Sequence, residues 1–416
     1  MVRRQVLRVA AFLLAFAWIV SPGWVQAADP IKIGIGAQLT GGLAGNGKAM
    51  LIAMQIWAED VNAKGGLLGR PVELVFYDDQ SNPGLVPGIY AKLLTVDKVD
   101  FLVGMSTNQI APVLPIIIQK KKIMMALFAI GLNKQFNYSR YFQMQPFGPN
   151  GPDSMTRGYF ETAKSLDPKP QTIALVGADA EFAKTILEGA RASAKEMGLK
   201  IVYDQVYPPN SVDLSPVLRA IQATKPDLVL VASYPPDTVG MIRGAREVGL
   251  QTRMFGGALV GVQYAALKKQ LGDSLNGVFG FEIYTPNPAL QFEGTQEFLK
   301  KYQARAAAGG ADILGFYGPP YAYAALQVLG RAITEVGSLD QDKIAQQMHA
   351  DTFKTIVGDV KFGSDGEWAK PRILGVQYQN LKGNDLAQFE ISDHTVVMYP
   401  PEYRSGNPQI PYAPKQ

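Results

Sequence analysis

Residues 31–83 contain a complete strand, turn, helix and second strand. An apolar run at residues 31–37 leads into a glycine-rich turn at residues 39–47. Apolar side chains at residues 50–61 then recur every three or four positions, which places them on one face of a helix. A second apolar run follows at residues 72–77. This order of elements predicts a parallel β-α-β unit.

The same alternation continues along the chain. Helical patterns alternate with short apolar runs at residues 101–104, 123–128, 172–177, 200–206 and 226–232. Strands that are apolar throughout are typical of a sheet covered on both faces. A chain of 416 residues with 47% hydrophobic residues is also long enough to bury two cores. We therefore expect an α/β protein with two lobes, each a mostly parallel sheet flanked by helices.

The charge of the chain is nearly balanced. The formal net charge is +4, and three of the basic residues are Arg3, Arg4 and Arg8. The remaining sequence carries 37 basic and 36 acidic residues. A nucleic-acid-binding surface needs a basic excess or a basic patch, so this composition argues against a nucleic-acid partner.

The N-terminus has the pattern of an export signal. The three arginines precede an apolar run at residues 9–20, and small residues at positions 25–27 offer a cleavage site. A retained membrane anchor is the alternative, but the run is short for a membrane span. The chain contains no cysteine, which excludes disulfides and a lipid-anchored cysteine after the signal. We expect a signal peptide over residues 1–27, cleaved near Ala27, and a periplasmic location.

Several segments of the first unit resemble one family. They are Leu39-Thr40-Gly41, Gly47, residues 62–70 and residues 78–83. This set is similar to the signature of the leucine/isoleucine/valine-binding family, the type I periplasmic solute-binding proteins of ABC importers. The resemblance implies two lobes joined by three hinge crossovers, which close on a small carboxylate-bearing ligand. It also implies a membrane permease and an ATPase as partners, no cofactor, no catalysis and a monomer.

The resemblance also implies where the lobes divide. The crossings are expected near residues 141–146, 275–281 and 370–371. The first lobe then comprises residues 28–145 and 280–370, and the second lobe comprises residues 146–279 and 371–395. Residues 396–416 contain several prolines and are expected to form an extended C-terminal tail on the surface.

Three stretches have partial catalytic or metal-binding patterns. Residues 42–48 fit the spacing of a phosphate loop, but Ala49 follows where a hydroxyl would hold magnesium. Ser106 lies in a turn similar to a nucleophile elbow that lacks its second glycine, and the only histidines are His349 and His394. Asp78-Asp79 has no further ligand at a metal-binding spacing, so a solvated turn is the better interpretation.

Ser106, Thr107 and Asn108 follow an apolar strand at the start of a helical pattern. Unpaired backbone N–H groups at a helix start favour an anion, so these residues either cap the helix or contact a ligand. The resemblance favours ligand contact, because in this family the loops after these strands hold a carboxylate. It adds the backbone groups of Ala129, Ile130 and Gly131.

From the second lobe the resemblance implies aromatic contacts at Phe182 and Tyr234, although core packing is the commoner fate of such side chains. Two positions depart from the amino-acid binders of the family. Asn46 stands where they often carry a bulky aromatic residue. Ala258 aligns with the carboxylate that pairs with the ligand's ammonium group.

An unpaired buried charge is costly, so an α-amino acid would need another acidic partner here, and Asp237 and Glu282 are the nearby candidates. We therefore expect an aromatic or branched organic acid without an ammonium group, with an amino acid as the alternative. A periplasmic sensor module with the same fold and an exported serine hydrolase built on Ser106 remain as other functions.

Overall fold

The computed structural model describes residues 29–209, 211 and 213–412. The expected signal peptide at residues 1–27, its cleavage near Ala27 and the last four residues lie outside this part of the chain. No helix among the described residues is long and apolar enough to cross a membrane.

The first sheet is entirely parallel and has the strand order β2-β1-β3-β4-β5. Its strands come from one continuous segment: β1 (Ile31–Ala37), β2 (Val72–Asp78), β3 (Phe101–Gly104), β4 (Met124–Ala126) and β5 (Tyr141–Gln143). The interior strand β1, next to the edge strand β2, pairs Ile33 with Leu74 on one side and with Phe101 on the other. The β-α-β unit predicted from residues 31–83 is therefore present.

The second sheet has seven strands in the order β14-β13-β10-β9-β8-β6-β7. The strands are β6 (Thr172–Ala178), β7 (Lys200–Tyr207), β8 (Leu228–Ser233), β9 (Met254–Leu259), β10 (Val278–Glu282), β13 (Leu374–Tyr378) and β14 (Thr395–Tyr399). The first five are parallel to one another. At one edge β13 pairs antiparallel with β10, and β14 pairs antiparallel with β13. A small hairpin, β11 (Thr352–Thr355) and β12 (Gly358–Lys361), stands apart from both sheets.

Helices flank both sheets. Around the first sheet lie α1 (Ala44–Asn62), α2 (Val86–Thr95), α3 (Thr107–Ile110), α4 (Leu114–Gln119), α5 (Asn133–Phe136), α11 (Thr295–Gly309), α12 (Pro319–Val336) and α13 (Gln341–Ala350). Around the second lie α6 (Gly151–Lys164), α7 (Glu181–Glu196), α8 (Ser215–Ala223), α9 (Pro235–Glu247) and α10 (Ala265–Leu271). Helices α11 and α12 return to pack on α1, so the first lobe is completed by a distant part of the sequence.

The chain crosses between the sheets three times, and the second crossing begins later than expected. Residues 141–143 form β5 of the first sheet, so the first crossing follows Gln143, within the expected residues 141–146. Residues 278–282 form β10, which pairs with β9 and β13, so the second crossing follows Glu282 and a boundary at residue 280 is wrong. The apolar residues of β10 are a buried strand of the second sheet.

The tail is also more ordered than the sequence suggests. Residues 395–399 form β14 beside β13, and the boundary at residue 396 divides this strand. Tyr412 is 1% exposed, its N–H donates to the Arg253 carbonyl, and its ring lies 4.9 Å from that of Phe255. The segment up to Tyr412 is therefore packed onto the second lobe.

Helix α1 lies unusually close to the end of β1. A Cβ atom added at Gly47 would lie 2.0 Å from the carbonyl oxygen of Gln38, the residue directly after β1. Only a residue without a side chain allows this approach. The contact fixes Gln38 and Asn46 on the same side of the first lobe.

We expect Gly47→Ala to lower the free energy of unfolding by about 1–3 kcal/mol, because the added methyl group must displace backbone. Gly88→Ala is the matched control: Gly88 lies in helix α2, and a Cβ there meets nothing within 4 Å. That control should be neutral or stabilise by up to about 1 kcal/mol. Urea unfolding of both variants and the wild type measures these free energies. Equal stabilities would show that α1 is not held this closely.

A buried acid lies beside the edge of the first sheet. The segment that follows β12 pairs with β5 through the Gln143 N–H and the Gly366 carbonyl, 2.8 Å apart. The next residue, Glu367, is 2% exposed, and neither carboxyl oxygen has a hydrogen-bond partner among the described residues. Burial raises the pKa of Glu367 well above its usual range, and the nearby Asp365 raises it further. Burial without a hydrogen-bond partner therefore favours the neutral form of Glu367 in the folded protein.

Because the pKa of Glu367 is raised in the folded protein, this residue contributes fully to stability below its unfolded pKa, near 4.3. That contribution is lost as the pH rises through the folded pKa. Glu367→Gln should remove this loss. The stability gap in favour of the variant should widen above pH 4.3 by about 1.4 kcal/mol per pH unit until the folded pKa is passed. Melting temperatures from pH 4 to 8 test this, with Glu390→Gln at an exposed position as the control. Parallel curves for wild type and Glu367→Gln would contradict the neutral assignment.

Candidate functional site

A cavity lies between the two lobes, where the carboxyl ends of both sets of parallel strands meet. In the first lobe, β1 leads to Gln38, β3 to Ser106 and β4 to Phe128. In the second lobe, β8 leads to Tyr234 and β9 to Val260. All five residues line the cavity. This is the edge at which open α/β sheets bind ligands.

The wall of the cavity is aromatic and neutral. Six aromatic residues line it: Phe128, Phe147, Phe182, Tyr234, Tyr264 and Tyr317. Six uncharged polar residues join them: Gln38, Asn46, Ser106, Thr107, Asn108 and Gln145. Leu43 and Val260 complete the described lining. None of these residues carries a charge, and the space open to the centre of a water molecule is about 50 Å³.

Asp78, at the end of β2, holds the loop that carries the first-lobe residues. Its carboxylate accepts the N–H groups of Leu39, Thr40 and Gln80 and the hydroxyl of Thr40. The neighbouring Asp79 is fully buried, so the interpretation as a solvated turn is wrong for Asp79, whereas Asp78 is partly exposed. Burial raises the pKa of Asp79 to about 6. These acids are structural supports behind the cavity.

The hydroxyl groups of the Ser106 loop are already paired within the protein. Gln38 Nε2 donates to Ser106 Oγ at 2.7 Å, and Ser106 Oγ donates in turn to Gln109 Oε1. Thr107 Oγ1 donates to the Phe128 carbonyl at 3.2 Å and accepts the Ile130 N–H at 3.3 Å. Both residues line the cavity, but their protons point to protein acceptors.

Asn108 connects the two lobes directly. Its Nδ2 donates to the Tyr234 hydroxyl at 3.0 Å, and its Oδ1 accepts the N–H of Phe182 at 3.3 Å. The rings of Phe182 and Tyr234 meet edge to face, with centroids 5.8 Å apart. Burial raises the pKa of Tyr234 to about 12, so its hydroxyl stays protonated. The structure therefore shows the lobes in contact around the cavity.

Six of the ten residues predicted from the sequence line the cavity: Asn46, Ser106, Thr107, Asn108, Phe182 and Tyr234. Ala129, Ile130 and Gly131 are not among the lining residues. Gly131, where φ is 62°, lies beside Pro152 at the start of α6, and the Ile130 N–H donates to Thr107 Oγ1. Phe128 is the residue of this loop that faces the cavity.

Ala258 is also absent from the lining. It lies within β9, paired with Ala232, and is 1% exposed. The strand continues to Leu259, and Val260 is the first residue to face the cavity. The position aligned with an acidic ligand contact therefore lies two residues too early in this chain.

Neither Asp237 nor Glu282 supplies the acidic ligand contact that Ala258 lacks. Asp237 accepts from the Tyr207 hydroxyl at 2.6 Å and from the Tyr234 N–H at 3.1 Å. Glu282 is buried in an ion pair with Lys268 at 3.0 Å and accepts the Tyr378 hydroxyl at 2.9 Å. Both acids are bonded within the second lobe, with Asp237 Oδ1 buried and without a partner in the described chain, and neither acid lines the cavity.

Eight lining residues were missed from the sequence: Gln38, Leu43, Phe128, Gln145, Phe147, Val260, Tyr264 and Tyr317. Gln38 and Phe128 were accessible to prediction, because both follow apolar strands. Tyr264 and Tyr317 lie next to helices far along the chain, and no local pattern relates them to the Ser106 loop. Tyr317 stacks on Phe128, with centroids 4.8 Å apart and planes 12° apart.

In the described part of the chain, the residues of the partial catalytic patterns do not form a catalytic arrangement. His349 bonds to the carbonyls of Ser139 and Gly363, and His394 bonds to that of Gln379. No histidine lines the described cavity wall, so Ser106 has no base of the kind a serine hydrolase uses. In the described part of the chain, no three His, Asp or Glu side chains are grouped as metal ligands.

We expect Asn108→Ala to favour the open form of the protein, because it removes the hydrogen bonds between the Asn108 amide and Tyr234 and Phe182 of the second lobe. Such bonds contribute about 0.5–1.5 kcal/mol each. Since the chain has no native cysteine, spin labels at Pro83→Cys and Glu181→Cys can report the distance across the mouth of the cavity. The population at long distance should rise about 5-fold or more. Asn384→Ala, at an exposed site, should leave the distribution unchanged, and an unchanged distribution in Asn108→Ala would refute the role of this contact.

Comparison with known proteins agrees with this architecture. A family model described as periplasmic binding protein matches residues 30–379. The leucine-, isoleucine-, valine-, threonine- and alanine-binding protein of Pseudomonas aeruginosa is 22% identical over 360 residues, which cover 86% of this chain and 93% of that protein. The Leu/Ile/Val-binding protein of Escherichia coli K12 is 22% identical, with coverage of 82% and 88%.

Solved structures show the same fold. A leucine-binding protein from Thermotoga maritima superimposes with a TM-score of 0.72 at 18% identity, covering 85% of this chain and 98% of that one. A solute-binding protein of an ABC transporter from Rhodopseudomonas palustris, in complex with benzoate, has a TM-score of 0.72 at 17% identity, with coverage of 88% and 95%. The two-lobed fold predicted from the sequence is confirmed, and the chain belongs to the periplasmic binding protein family.

Proposed function

We propose that this protein is the periplasmic solute-binding subunit of an ABC importer, and that it captures a small organic acid with an aromatic or branched apolar body and no ammonium group. The observation that carries the proposal is the uncharged wall of the cavity between the lobes.

An α-amino acid would bring an ammonium group into this cavity. Leaving such a charge buried without a carboxylate partner is strongly unfavourable. Asp237 and Glu282 are bonded elsewhere, and the lining residue past the end of β9 is Val260. The cavity thus offers an ammonium group no acidic partner.

The aromatic side chains of the cavity wall match the apolar part of the proposed ligand. Aromatic rings from both lobes surround the cavity, including the stacked pair Phe128 and Tyr317 and the edge-to-face pair Phe182 and Tyr234. The space open to the centres of water molecules, about 50 Å³, has room for about three to five of them. This space suits a single ring or a short branched chain, and the benzoate complex of the Rhodopseudomonas palustris relative has a ligand of this kind.

The mechanism follows from the two lobes. A ligand docks against the first lobe, and closure brings Phe182 and Tyr234 over it. Exclusion of water strengthens the polar contacts inside the cavity. Closure is stabilised only to the extent that the ligand binds the closed form better. The closed monomer then delivers the ligand to a permease and its ATPase in the membrane, with no chemical change to the ligand and no cofactor.

Matched ligand pairs test the proposal. Each pair differs only in the amino group: leucine and 4-methylpentanoate, valine and 3-methylbutanoate, phenylalanine and 3-phenylpropanoate, with benzoate added. The protein should be refolded once to remove carried-over ligand. A binding acid at a hundred times its dissociation constant should stabilise the protein by about 2.7 kcal/mol in a thermal-shift assay. The amino acids should give no shift.

A pair of variants at the end of β9 provides the control. Val260→Glu places an ionisable group on the cavity wall and should weaken binding of the acid at least 10-fold relative to Val260→Gln, which has nearly the same size and no charge. If leucine or valine stabilises the wild-type protein and the acids do not, the organic-acid proposal is wrong.

A further inference from the structure

A wide groove lies beside the cavity, between helices of the second lobe. The start of α8, together with α9 and α10, forms most of its wall, and the first lobe contributes Gly42 and Gly45 at the start of α1. We call this space the outer groove. The space open to the centres of water molecules is about 740 Å³ in the outer groove and about 50 Å³ in the cavity. A small space therefore borders a much larger one.

Tyr264 separates the two spaces. It is the one described residue that lines both, and it is 8% exposed. At the start of α1, Leu43 and Asn46 line the cavity. Gly42 and Gly45 line the outer groove. The division between the spaces therefore runs along the start of α1 and through the Tyr264 ring.

This partition is built from both lobes. The Tyr264 ring, at the start of α10 in the second lobe, packs on Gly45 of the first, since a Cβ atom added at Gly45 would lie 3.3 Å from Tyr264 Cδ1. The next residue, Ala265, donates its N–H to the carboxylate of Asp312, which lies between α11 and α12 of the first lobe. The partition is thus complete only when the two lobes are together.

Packing, and no hydrogen bond from its own side chain in the described chain, holds Tyr264 in the partition. Its hydroxyl is buried and has no partner there. The cavity also borders a smaller groove through Leu43, Asn108 and Tyr234, but on that side Asn108 donates to the Tyr234 hydroxyl at 3.0 Å. Removing the Tyr264 side chain would therefore join the cavity to the larger space and leave the hydrogen bonds between the lobes in place.

The outer groove offers apolar surface beyond the partition. Val239 and Leu267 line it and are half-buried, and two prolines join them. The charged residues Arg243 and Glu247 in its wall are exposed to solvent. An alkyl or aryl group that passed Tyr264 would bury apolar surface against these side chains, which is favourable.

We propose that the Tyr264 ring sets the maximum length of the ligand, because it closes the cavity against Gly45. This inference rests on the proposed function, since it takes the ligand to be an organic acid with an apolar body. It places the carboxylate at the loop of Ser106, Thr107 and Asn108, as the family resemblance implies, and the apolar end against Tyr264. An acid too long for the cavity keeps the ring from Gly45 and so opposes closure, which restricts tight binding to ligands that fit behind the ring.

Phenyl-substituted acids of increasing chain length test the proposal by isothermal titration calorimetry. The short acids are benzoate and 3-phenylpropanoate, and the long acids are 5-phenylpentanoate and 7-phenylheptanoate. The wild type should bind each long acid about 10-fold or more weakly than the better short acid, because extra methylene groups in a packed space are costly. Tyr264→Ala should raise the ratio of long-acid to short-acid affinity about 10-fold or more. A merely structural role would change all affinities alike and leave this ratio unmoved.

Tyr264→Phe is the matched control, because it keeps the ring and removes only the hydroxyl. Its length limit should be that of the wild type. Adding Leu267→Trp to Tyr264→Ala fills the outer groove three residues along the chain, and it should return the ratio towards the wild-type value. A crystal structure of Tyr264→Ala with 5-phenylpentanoate should show the phenyl group beside Val239 and Leu267. The wild-type length series needs no variant, so the proposal is tested even if Tyr264→Ala fails to fold.

The outcomes separate this proposal from the organic-acid function. If the wild type binds long and short acids equally well, or if Tyr264→Ala leaves the ratio unchanged, Tyr264 does not set the length and the organic-acid function stands. If Tyr264→Phe shifts the ratio as far as Tyr264→Ala does, the hydroxyl and not the ring is responsible, and the proposal is wrong. If no acid binds the wild-type protein, both proposals fail.

Discussion

Parallel strands end at a common edge of their sheet, and the cavity exists because two such edges face each other. The residues that follow β1, β3 and β4 meet those that follow β8 and β9. Neither lobe contains the whole wall. Binding and closure are therefore one process, since a ligand that touches every wall residue must bring the lobes together.

The absence of charge from the wall does not reflect a lack of charge nearby. Lys268 and Glu282 form a buried ion pair in the second lobe, and Asp237 is buried behind Tyr234. Lys268 and Glu282 neutralise each other away from the cavity, and Asp237 Oδ2 accepts hydrogen bonds from the Tyr207 hydroxyl and the Tyr234 N–H. The protein thus keeps the supporting charges and leaves the ligand a neutral surface. In such a surface, the identity and direction of each donor decide what is accepted, because no net charge dominates recognition.

The fold could be predicted from the sequence further than the site could. Periodicity and glycine-rich turns locate the β-α-β unit at residues 31–83, and strand ends identify Ser106, Thr107, Asn108 and Tyr234 as neighbours of a binding edge. The sequence pattern fails where two strands that pair lie far apart in the chain. It assigns β10 to a linker, because the antiparallel partner β13 lies about a hundred residues later. Tyr264 and Tyr317 were missed for the same reason, as only tertiary packing brings them to the cavity. Ala258 shows how a shift of two residues at a strand end moves a site position into the core.

The bonds from Asn108 to Tyr234 and Phe182 join the two lobes through protein atoms alone. Any unliganded molecule that they hold closed must open before it can load. The share of open molecules then multiplies the observed association rate and divides the apparent affinity. At high ligand concentration the loading rate should approach the opening rate and become independent of concentration. The same amide that shields a bound solute would then also limit how quickly the empty protein responds to a sudden supply.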